Sequence, residues 1–267
     1  MMRSLWTAAS GMMAQQTNLD TVANNLANVN TPGFKRTRIE FQDLLYDTIR
    51  PADPATYGGY AYVGTASPRA SIQVGQGVRL SGSQKVVSAG NIEATGNRTD
   101  LAIDGAGYFR VRLTDGTYAY TRDGTFRLDS GGRLVTADGF ALMSSGLGQI
   151  TIPTGVKELS ISASGEVASE QGHHGTIGIT TFRNPAGLEA IGKNLLKSTA
   201  ASGDGVTVTP GAVGAGSVLQ GYVERSNVQV VEEMVNLIIV QRAYEMNSKA
   251  AQTSDDVMGM TNNIVRR

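Results

Sequence analysis

Hydrophobic residues recur at a spacing of seven near both ends of the chain. Near the N-terminus the series consists of four residues, with two valines at an offset of three: Leu5, Met12, Leu19 and Leu26, with Val22 and Val29. Near the C-terminus the same spacing joins six residues, supported by two more: Val230, Leu237, Tyr244, Ala251, Met258 and Val265, with Met234 and Ile238. A sustained spacing of seven is typical of helices that pair as coiled coils. The pattern predicts a long helix at each end.

The middle of the chain has short runs in which apolar and polar residues alternate. In "YFRVRL" the alternation places Phe109, Val111 and Leu113 on one face. Asp-Gly pairs, the dipeptide most typical of hairpin turns, occur four times, at 104–105, 115–116, 123–124 and 138–139. Of the 33 glycines, all but three lie between the two predicted helical ends. These features predict a mostly antiparallel β-domain.

The predicted fold is α+β: a mainly β central domain bracketed by N- and C-terminal helices that pair as a coiled-coil inner domain. The predicted boundaries are 1–45 for the N-terminal helix, 46–74 for an extended connector containing three prolines, 75–221 for the β-domain and 222–267 for the C-terminal helix. Ser226 or Asn227 is expected to cap the C-terminal helix, with Glu232 and Glu233 at its positive end.

Composition excludes several classes of function. Lysine plus arginine equals aspartate plus glutamate at 23 each, so no global charge points to nucleic acid. There is no cysteine, which excludes disulfides and thiol catalysis. No apolar run is long enough to cross a membrane. The start, "MMRSLWTAASGMMAQQTN", faintly resembles a signal peptide, but the spacing of seven continues through it, so we expect no cleavage.

The helical ends carry too little apolar surface to order well alone. Polar residues such as Gln15, Gln16, Gln241 and Ser248 lie near the predicted apolar stripes. We expect the ends to be loosely ordered in the monomer and to become ordered by packing against other copies.

Four asparagines crowd the segment "ANNLANVNTPGFKR". Two interpretations stay open: Asn25 and Asn28 fix register and partner number in a helical interface, or they face solvent on an ordinary surface helix. The following Thr31-Pro32-Gly33 is expected to end the helix.

Candidate catalytic and metal sites are weak. "GLEAIGKN" matches a P-loop except for Asn194, where Mg²⁺ binding requires Ser or Thr, and it is expected to form a turn and short helix. His173 and His174 are expected at an exposed loop tip, without further metal ligands nearby. Five carboxylates could include a glycosidase pair: Asp104, Asp115, Asp123, Asp138 and Glu166. The four aspartates each precede a glycine, a position that suits a turn. We therefore expect no catalytic residue, metal or cofactor.

Three separated motifs resemble one known family. "ANNLANVNTPGFKR" resembles the N-terminal signature of the bacterial flagellar rod and hook proteins, and "ERSNVQVVEEMVNLIIVQRAYEMNSKAAQTSDDVM" resembles their C-terminal signature. "DLAIDGAGYFRV", "AYTRDGTFRLDSGGRLVTADGF" and "TTFRNPAGLEAIGKNLL" resemble the family's central β-domain. Within the family, the length and "FQDLLYDTIR" are most similar to subunits of the distal rod.

The resemblance implies a structural subunit of a rigid, hollow rod that transmits motor torque to the hook. Its partners would be further copies of itself in a helical homopolymer, proximal rod proteins, the hook protein and the surrounding ring proteins. It would leave the cell through the flagellar export channel without a cleaved signal, and the rod would cross the periplasm. The connector, rich in tyrosine and proline, would pack as a stiffening wedge between subunits.

The residues expected at the polymer interface come from both helices and from the break after the first: Leu5, Met12, Leu19, Asn25, Leu26, Asn28, Pro32, Gly33, Phe34, Val230, Leu237, Ile238, Tyr244, Asn247 and Ala251. Two alternatives remain, another rod or hook member of the family, or an exported β-domain glycan hydrolase with coiled-coil oligomerisation ends.

Overall fold

The computed structural model describes residues 2–50, 72–146, 148–153 and 159–265. Most of the predicted connector, including its three prolines and its tyrosines at 57, 60 and 62, lies outside the described residues. Its two described ends are strands, β2 (Tyr46–Arg50) and β3 (Ile72–Gly75), which pair antiparallel with Tyr46 opposite Gly75.

The chain divides into two compact units. The first, which we call the helical unit, comprises Met1–Ala23, Ile39–Ser83 and Met234–Arg267. The second, the β unit, comprises Asn24–Arg38 and Gln84–Glu233. The end of the first helix and the start of the last one therefore belong to the β unit.

The first helix, α1 (Met2–Ala27), is shorter than the 1–45 segment in which it was predicted. The expectation that Pro32 and Gly33 end it is wrong, because the helix stops five positions before Pro32. The side chain of Asn28 donates to the carbonyl of Asn24 (2.9 Å) and accepts from the hydroxyl of Thr31 (3.1 Å). Such local side-chain bonds compete with helix continuation.

A strand follows where the prediction had helix. In β1 (Thr37–Asp43) the β-branched and aromatic residues Thr37, Ile39 and Phe41 alternate with charged or polar ones, a pattern that favours a strand. It pairs with β4 (Val78–Lys85) in a two-stranded sheet.

The β unit contains the strands that follow β4: β5 (Ile92–Ala94), β6 (Leu101–Asp104), β7 (Tyr108–Arg112), β8 (Tyr118–Thr121), β9 (Arg127–Leu128), β10 (Leu134–Val135), β11 (Ala141–Leu142), β12 (Leu159–Ile161), β13 (Glu166–Ser169), β14 (Gly172–Thr176), β15 (Ile179–Thr181), β16 (Glu189–Gly192), β17 (Leu195–Lys197), β18 (Val206–Val208), β19 (Ser217–Gln220) and β20 (Tyr222–Glu224). Nine of them form one sheet in the order β16-β17-β8-β7-β11-β10-β9, with β15 pairing β7 and β18. Its pairings are antiparallel, as predicted.

Two of the four Asp-Gly pairs form hairpin turns. Gly116 (φ +84°) lies between the paired strands β7 and β8, and Gly139 (φ +85°) lies between β10 and β11. The prediction is wrong for Asp104-Gly105 and Asp123-Gly124, because the strands flanking each pair hydrogen-bond to other strands instead.

Strand β7 is buried on both faces, with the predicted face in the main core. Phe109 and Val111 are fully buried, Leu113 packs against the same cluster, and Phe109 contacts Phe126 edge to face at 5.2 Å between ring centroids. On the opposite face, Tyr108 belongs to a second, smaller cluster. The β unit thus has a closed hydrophobic core of its own.

The last helix, α2 (Val230–Val265), starts later than the 222–267 segment predicted for it, since β20 occupies 222–224. Neither predicted cap is used. The carbonyl of Gln229 accepts the first helical hydrogen bond, from Glu233 N (3.0 Å), while the Ser226 hydroxyl accepts from Val228 N. Glu232 and Glu233 do lie in the first turn, as expected. Within the described part of the chain, neither helix has the length and apolarity needed to cross a membrane.

Candidate assembly site

The loop after α1 is inserted against the β unit at Gly33. Its N–H donates to the carbonyl of Glu224 (2.8 Å), and Asn194 donates from its side chain to the carbonyl of Pro32 (3.3 Å). Gly33 has a φ of +68°, and a Cβ there would lie 2.5 Å from the backbone nitrogen of Asp123. Only glycine fits this conformation and this close approach.

A buried carboxylate holds the next residues of the loop. Glu224 accepts from the Lys35 ammonium (2.5 Å), from Gly90 N (2.8 Å) and from the Arg122 guanidinium (3.0 Å). All three charged side chains are 5% exposed or less. Arg122 also donates to the carbonyls of Ile103 and Gly105. The carboxylate therefore joins the N-terminal loop to the wall of the sheet.

Two cations share this one carboxylate, which affects the titration of Lys35. Burial lowers the pKa of Lys35, Glu224 opposes this, and the positive charge of Arg122 adds to the lowering. A buried ion pair of this kind gains little net stability over apolar packing, but removing one partner leaves an uncompensated charge.

A third connection links Arg36 to the start of α2. Asn227 accepts from Arg36 N (2.8 Å) and donates from its amide to the carbonyl of Val86 (2.9 Å). The Arg36 guanidinium forms ion pairs with Glu232 (3.2 Å) and with the buried Glu233 (3.0 Å), the latter without hydrogen-bond alignment. We call the set Gly33, Lys35, Arg36, Arg122, Glu224 and Asn227 the clasp.

The clasp joins the two terminal sequence signatures directly. "NTPGFKR" supplies one side and "ERSN" the other, so both signatures have a structural role inside a single chain. Sequence reasoning missed Lys35, Arg36, Arg122 and Glu224, although all four lie within the quoted motifs, and it assigned Asn227 only a capping role.

Both asparagines singled out in the sequence have partners within their own chain. Asn25 is 2% exposed and bonds both backbone groups of Thr37, donating to its carbonyl (2.9 Å) and accepting from its N–H (3.0 Å). Asn28 bonds locally, as described above. An interface between copies is therefore not needed to satisfy either amide, and their role in one stays a prediction.

The other predicted interface residues divide by exposure. Those that are half-buried are Leu5, Met12, Leu19, Leu26, Pro32, Phe34, Leu237, Asn247 and Ala251, while Val230, Ile238 and Tyr244 are exposed. Gly11, in the middle of α1, lies against α2 in the helical unit: a Cβ on it would be 2.9 Å from the amide nitrogen of Asn247. Coiled-coil pairing of the helices along their length stays a prediction.

One face of α2 is apolar and exposed. Its members follow the i, i+3, i+4, i+7, i+8 spacing of an amphipathic helix, yet each is at least half exposed: Val231, Met234, Val235, Ile238 and Ile239. We call these five residues the α2 apolar face. Trp6 and Met13 on α1 are exposed as well, at 75% and 71%. Buried hydrophobic residues of the described part of the helical unit are few: Ala8, Ala14, Val22 and Val240.

The described structure does not support the P-loop or metal sites considered in the sequence analysis. Lys193 and Asn194, with φ of 54° and 57°, form the turn between β16 and β17, so the P-loop-like segment is a hairpin preceded by a short 3₁₀ helix (Pro185–Gly187). His173 and His174 lie in β14 rather than at a loop tip. Among the described residues no group of three or more potential ligands could hold a metal.

Comparison with known proteins agrees with this architecture. Sequence models match three stretches: "Flagella basal body rod protein" at residues 5–35, "Flagellar hook protein FlgE/F/G D1 domain" at 102–169 and "Flagellar basal body rod FlgEFG protein C-terminal" at 219–264. The first match contains Gly33 and Lys35 of the clasp, and the last contains Glu224 and Asn227.

Full-length relatives are similar over essentially the whole chain. The flagellar basal-body rod protein FlgG of Borreliella burgdorferi is 47% identical, with all of both chains covered, and that of Bacillus subtilis is 40% identical, also with all of both covered. The flagellar hook protein FlgE of Helicobacter mustelae is 41% identical, but over 53% of this chain and 30% of its own length. The chain therefore belongs to the family of the flagellar basal-body rod protein FlgG.

Proposed function

We propose that the chain is a structural subunit of the distal rod of the flagellum, which polymerises through its helical unit into a rigid shaft. The observation that carries this proposal is the α2 apolar face, of which all members but Val231 belong to the helical unit. A stripe of this size on an amphipathic helix is normally buried against a partner. The surface that suits it in a rod is the helical unit of another copy.

The two units differ in how much hydrophobic surface they leave exposed, and this difference supports polymerisation through the helical unit. The β unit has a core of fully buried side chains, whereas the helical unit leaves many large hydrophobic residues exposed among those described: Trp6, Met13, Phe41, Leu45, Tyr46, Ile49, Ile72, Val74, Leu80, Met234, Val235, Ile238, Ile239, Tyr244, Met246, Val257 and Met260. Burying such surface drives association. We therefore assign polymerisation to the helical unit.

The clasp gives the subunit a mechanical property that a drive shaft requires. Torque applied to a subunit acts on the chain segments between its helices and its β-domain. In the β unit these segments are fixed by buried ion pairs and by backbone hydrogen bonds, and do not form a free linker. We infer that the clasp resists shear and keeps the two ends of the chain together.

The relatives are named as rod proteins rather than as enzymes, and the chain is not an enzyme. Its place is the flagellar basal body, in a rod assembled with other rod and hook proteins. The finer assignments are part of the proposal: contacts with proximal rod, hook and ring proteins, passage of the rod through the periplasm, export without a cleaved signal, and coiled-coil pairing of α1 with α2.

Complementation tests the proposed function. In a bacterium lacking its own rod subunit, the wild-type chain should restore motility, while Val235→Asp or Ile239→Asp should abolish it because a charge would lie in a buried interface. The matched control is Val213→Asp, at a fully exposed valine of the β unit, which should stay motile. If both helix variants were motile, the α2 apolar face would not be an interface between copies.

A further inference from the structure

A cavity of about 160 Å³ lies in the β unit beside the clasp. The loop Gly33–Lys35 and the turn at Gly192–Asn194 contribute to its wall. Its charged lining residues are all cations: Lys35, Lys85, Arg122 and Lys193. No aspartate or glutamate of the described ranges lines it.

Three of these cations pair with a carboxylate of a described residue, and the fourth, Lys85, does not. Lys35 and Arg122 share Glu224, and the Lys193 ammonium lies 3.2 Å from Asp138. Lys85, the last residue of β4, forms no ion pair and no hydrogen bond through its side chain with any described residue. Burial lowers the pKa of Lys85, and no neighbouring charge opposes this. Among the residues that the structure describes, the half-buried Lys85 thus has no counter-charge.

The remaining lining suits a side chain with both a charged end and a hydrocarbon stem. Phe34, Tyr108 and Leu195 supply apolar contacts, and Asn28 supplies an amide. An engineered cavity of about 150 Å³ accommodates benzene, so this volume admits the side chain of an aspartate or glutamate.

We propose that the cavity receives an aspartate or glutamate side chain of a neighbouring copy, whose carboxylate pairs with the ammonium of Lys85. This inference rests on the proposed polymer. A second copy is favoured over a free anion because subunits in a polymer face one another at a high effective concentration. The chain also carries exposed carboxylates that make no ion pair with any described residue, such as Asp20, Asp255 and Asp256.

Zero-length cross-linking tests the contact itself. A carbodiimide joins an amine directly to a carboxylate that touches it, with no spacer. Polymers are formed from a mixture of unlabelled and ¹⁵N-labelled subunits, cross-linked and digested, and the peptides are weighed. We expect Lys85 joined to an acidic residue in mixed-isotope pairs, and absent from cross-linked monomer. Lys85 products without any mixed-isotope pairs, or the same product in monomer, would overturn the proposal.

Variants of Lys85 supply the energetic test. Lys85→Met should raise the critical concentration for polymerisation roughly tenfold, at the low end of measured couplings for close interfacial charge pairs. Lys85→Arg should restore most of the affinity. The matched control is Lys197→Met, an exposed cation on β17 that does not line the cavity, and it should assemble like wild type.

The monomer separates this effect from a folding defect. Lys85→Met removes an unpaired, half-buried charge, so its unfolding midpoint should be unchanged or higher than that of wild type. Assembly of Lys85→Met at the wild-type concentration would overturn the proposal and leave the polymer function intact. A wild-type protein that forms no polymer would instead overturn the proposed function and this inference with it.

Discussion

The ammonium of Lys35 lies 2.5 Å from the carboxylate of Glu224, although 189 positions separate the two residues. Both side chains are almost fully buried. This pair ties the loop after the first helix to the strand before the last one. Each of the two terminal signatures of the family thus has a partner in the other, and the consequences can be measured in the monomer.

Replacing Glu224 by Gln should destabilise the monomer by about 3–5 kcal/mol, because Lys35 and Arg122 would stay buried without a carboxylate. Urea unfolding followed by circular dichroism measures the change. The matched control is Glu93→Gln, which breaks the exposed pair with Arg225 (2.7 Å) and should cost less than about 1 kcal/mol. Equal losses in the two variants would contradict a special role for the buried carboxylate.

Gly33→Ala should be more harmful than Gly96→Ala, although the two glycines have nearly the same backbone conformation. Their φ angles are +68° and +71°, so both variants carry the left-handed penalty of about 1–2 kcal/mol. A Cβ on Gly33 meets backbone atoms of Arg122 and Asp123, whereas one on Gly96 meets nothing within 4 Å. Thermal unfolding compares the two directly. If Gly96→Ala proved as damaging, the loop after α1 would not be held against the sheet as described.

The sequence predicted elements that have a local pattern, and it missed contacts between residues that are far apart along the chain. The spacing of seven identified both helices, and the alternation around Phe109 identified the core strand, since each pattern is local. The Lys35–Glu224 pair has no local signal, because charged residues are normally expected at the surface. For Asn25 the sequence left two interpretations open, an interface or solvent, because its sequence neighbourhood does not reveal that Thr37 satisfies its amide.

Asn25→Ala should weaken the isolated monomer, because the N–H and C=O of Thr37 would lose their partner. The expected loss is about 1–3 kcal/mol for each group left unsatisfied. Chemical denaturation of dilute protein measures it. Asn18→Ala, at a half-buried asparagine of α1 without a side-chain hydrogen bond to any described residue, is the control. An Asn25 variant that is stable as a monomer and defective only in assembly would restore the interface interpretation.

The lowered pKa of Lys35 predicts a specific pH dependence. Below the ordinary value of 10.5 the unfolded chain binds more protons at this residue than the folded chain does, so folding is penalised. The penalty diminishes as pH rises. The free energy of unfolding of wild type, minus that of Lys35→Met, should therefore increase as the pH rises toward 10.5. A difference that falls with pH would mean that Glu224 holds the ammonium in its charged form.

The most direct test of assembly through the helical unit is hydrogen exchange of α2 in dilute monomer and in assembled polymer. We predict that amides over 234–260 exchange rapidly in the monomer and become strongly protected on assembly, because the proposed polymer buries the α2 apolar face between copies. Amides of the β-unit core, such as those of β7, should be equally protected in both states. Equal protection of α2 in monomer and polymer would contradict assembly through the helical unit.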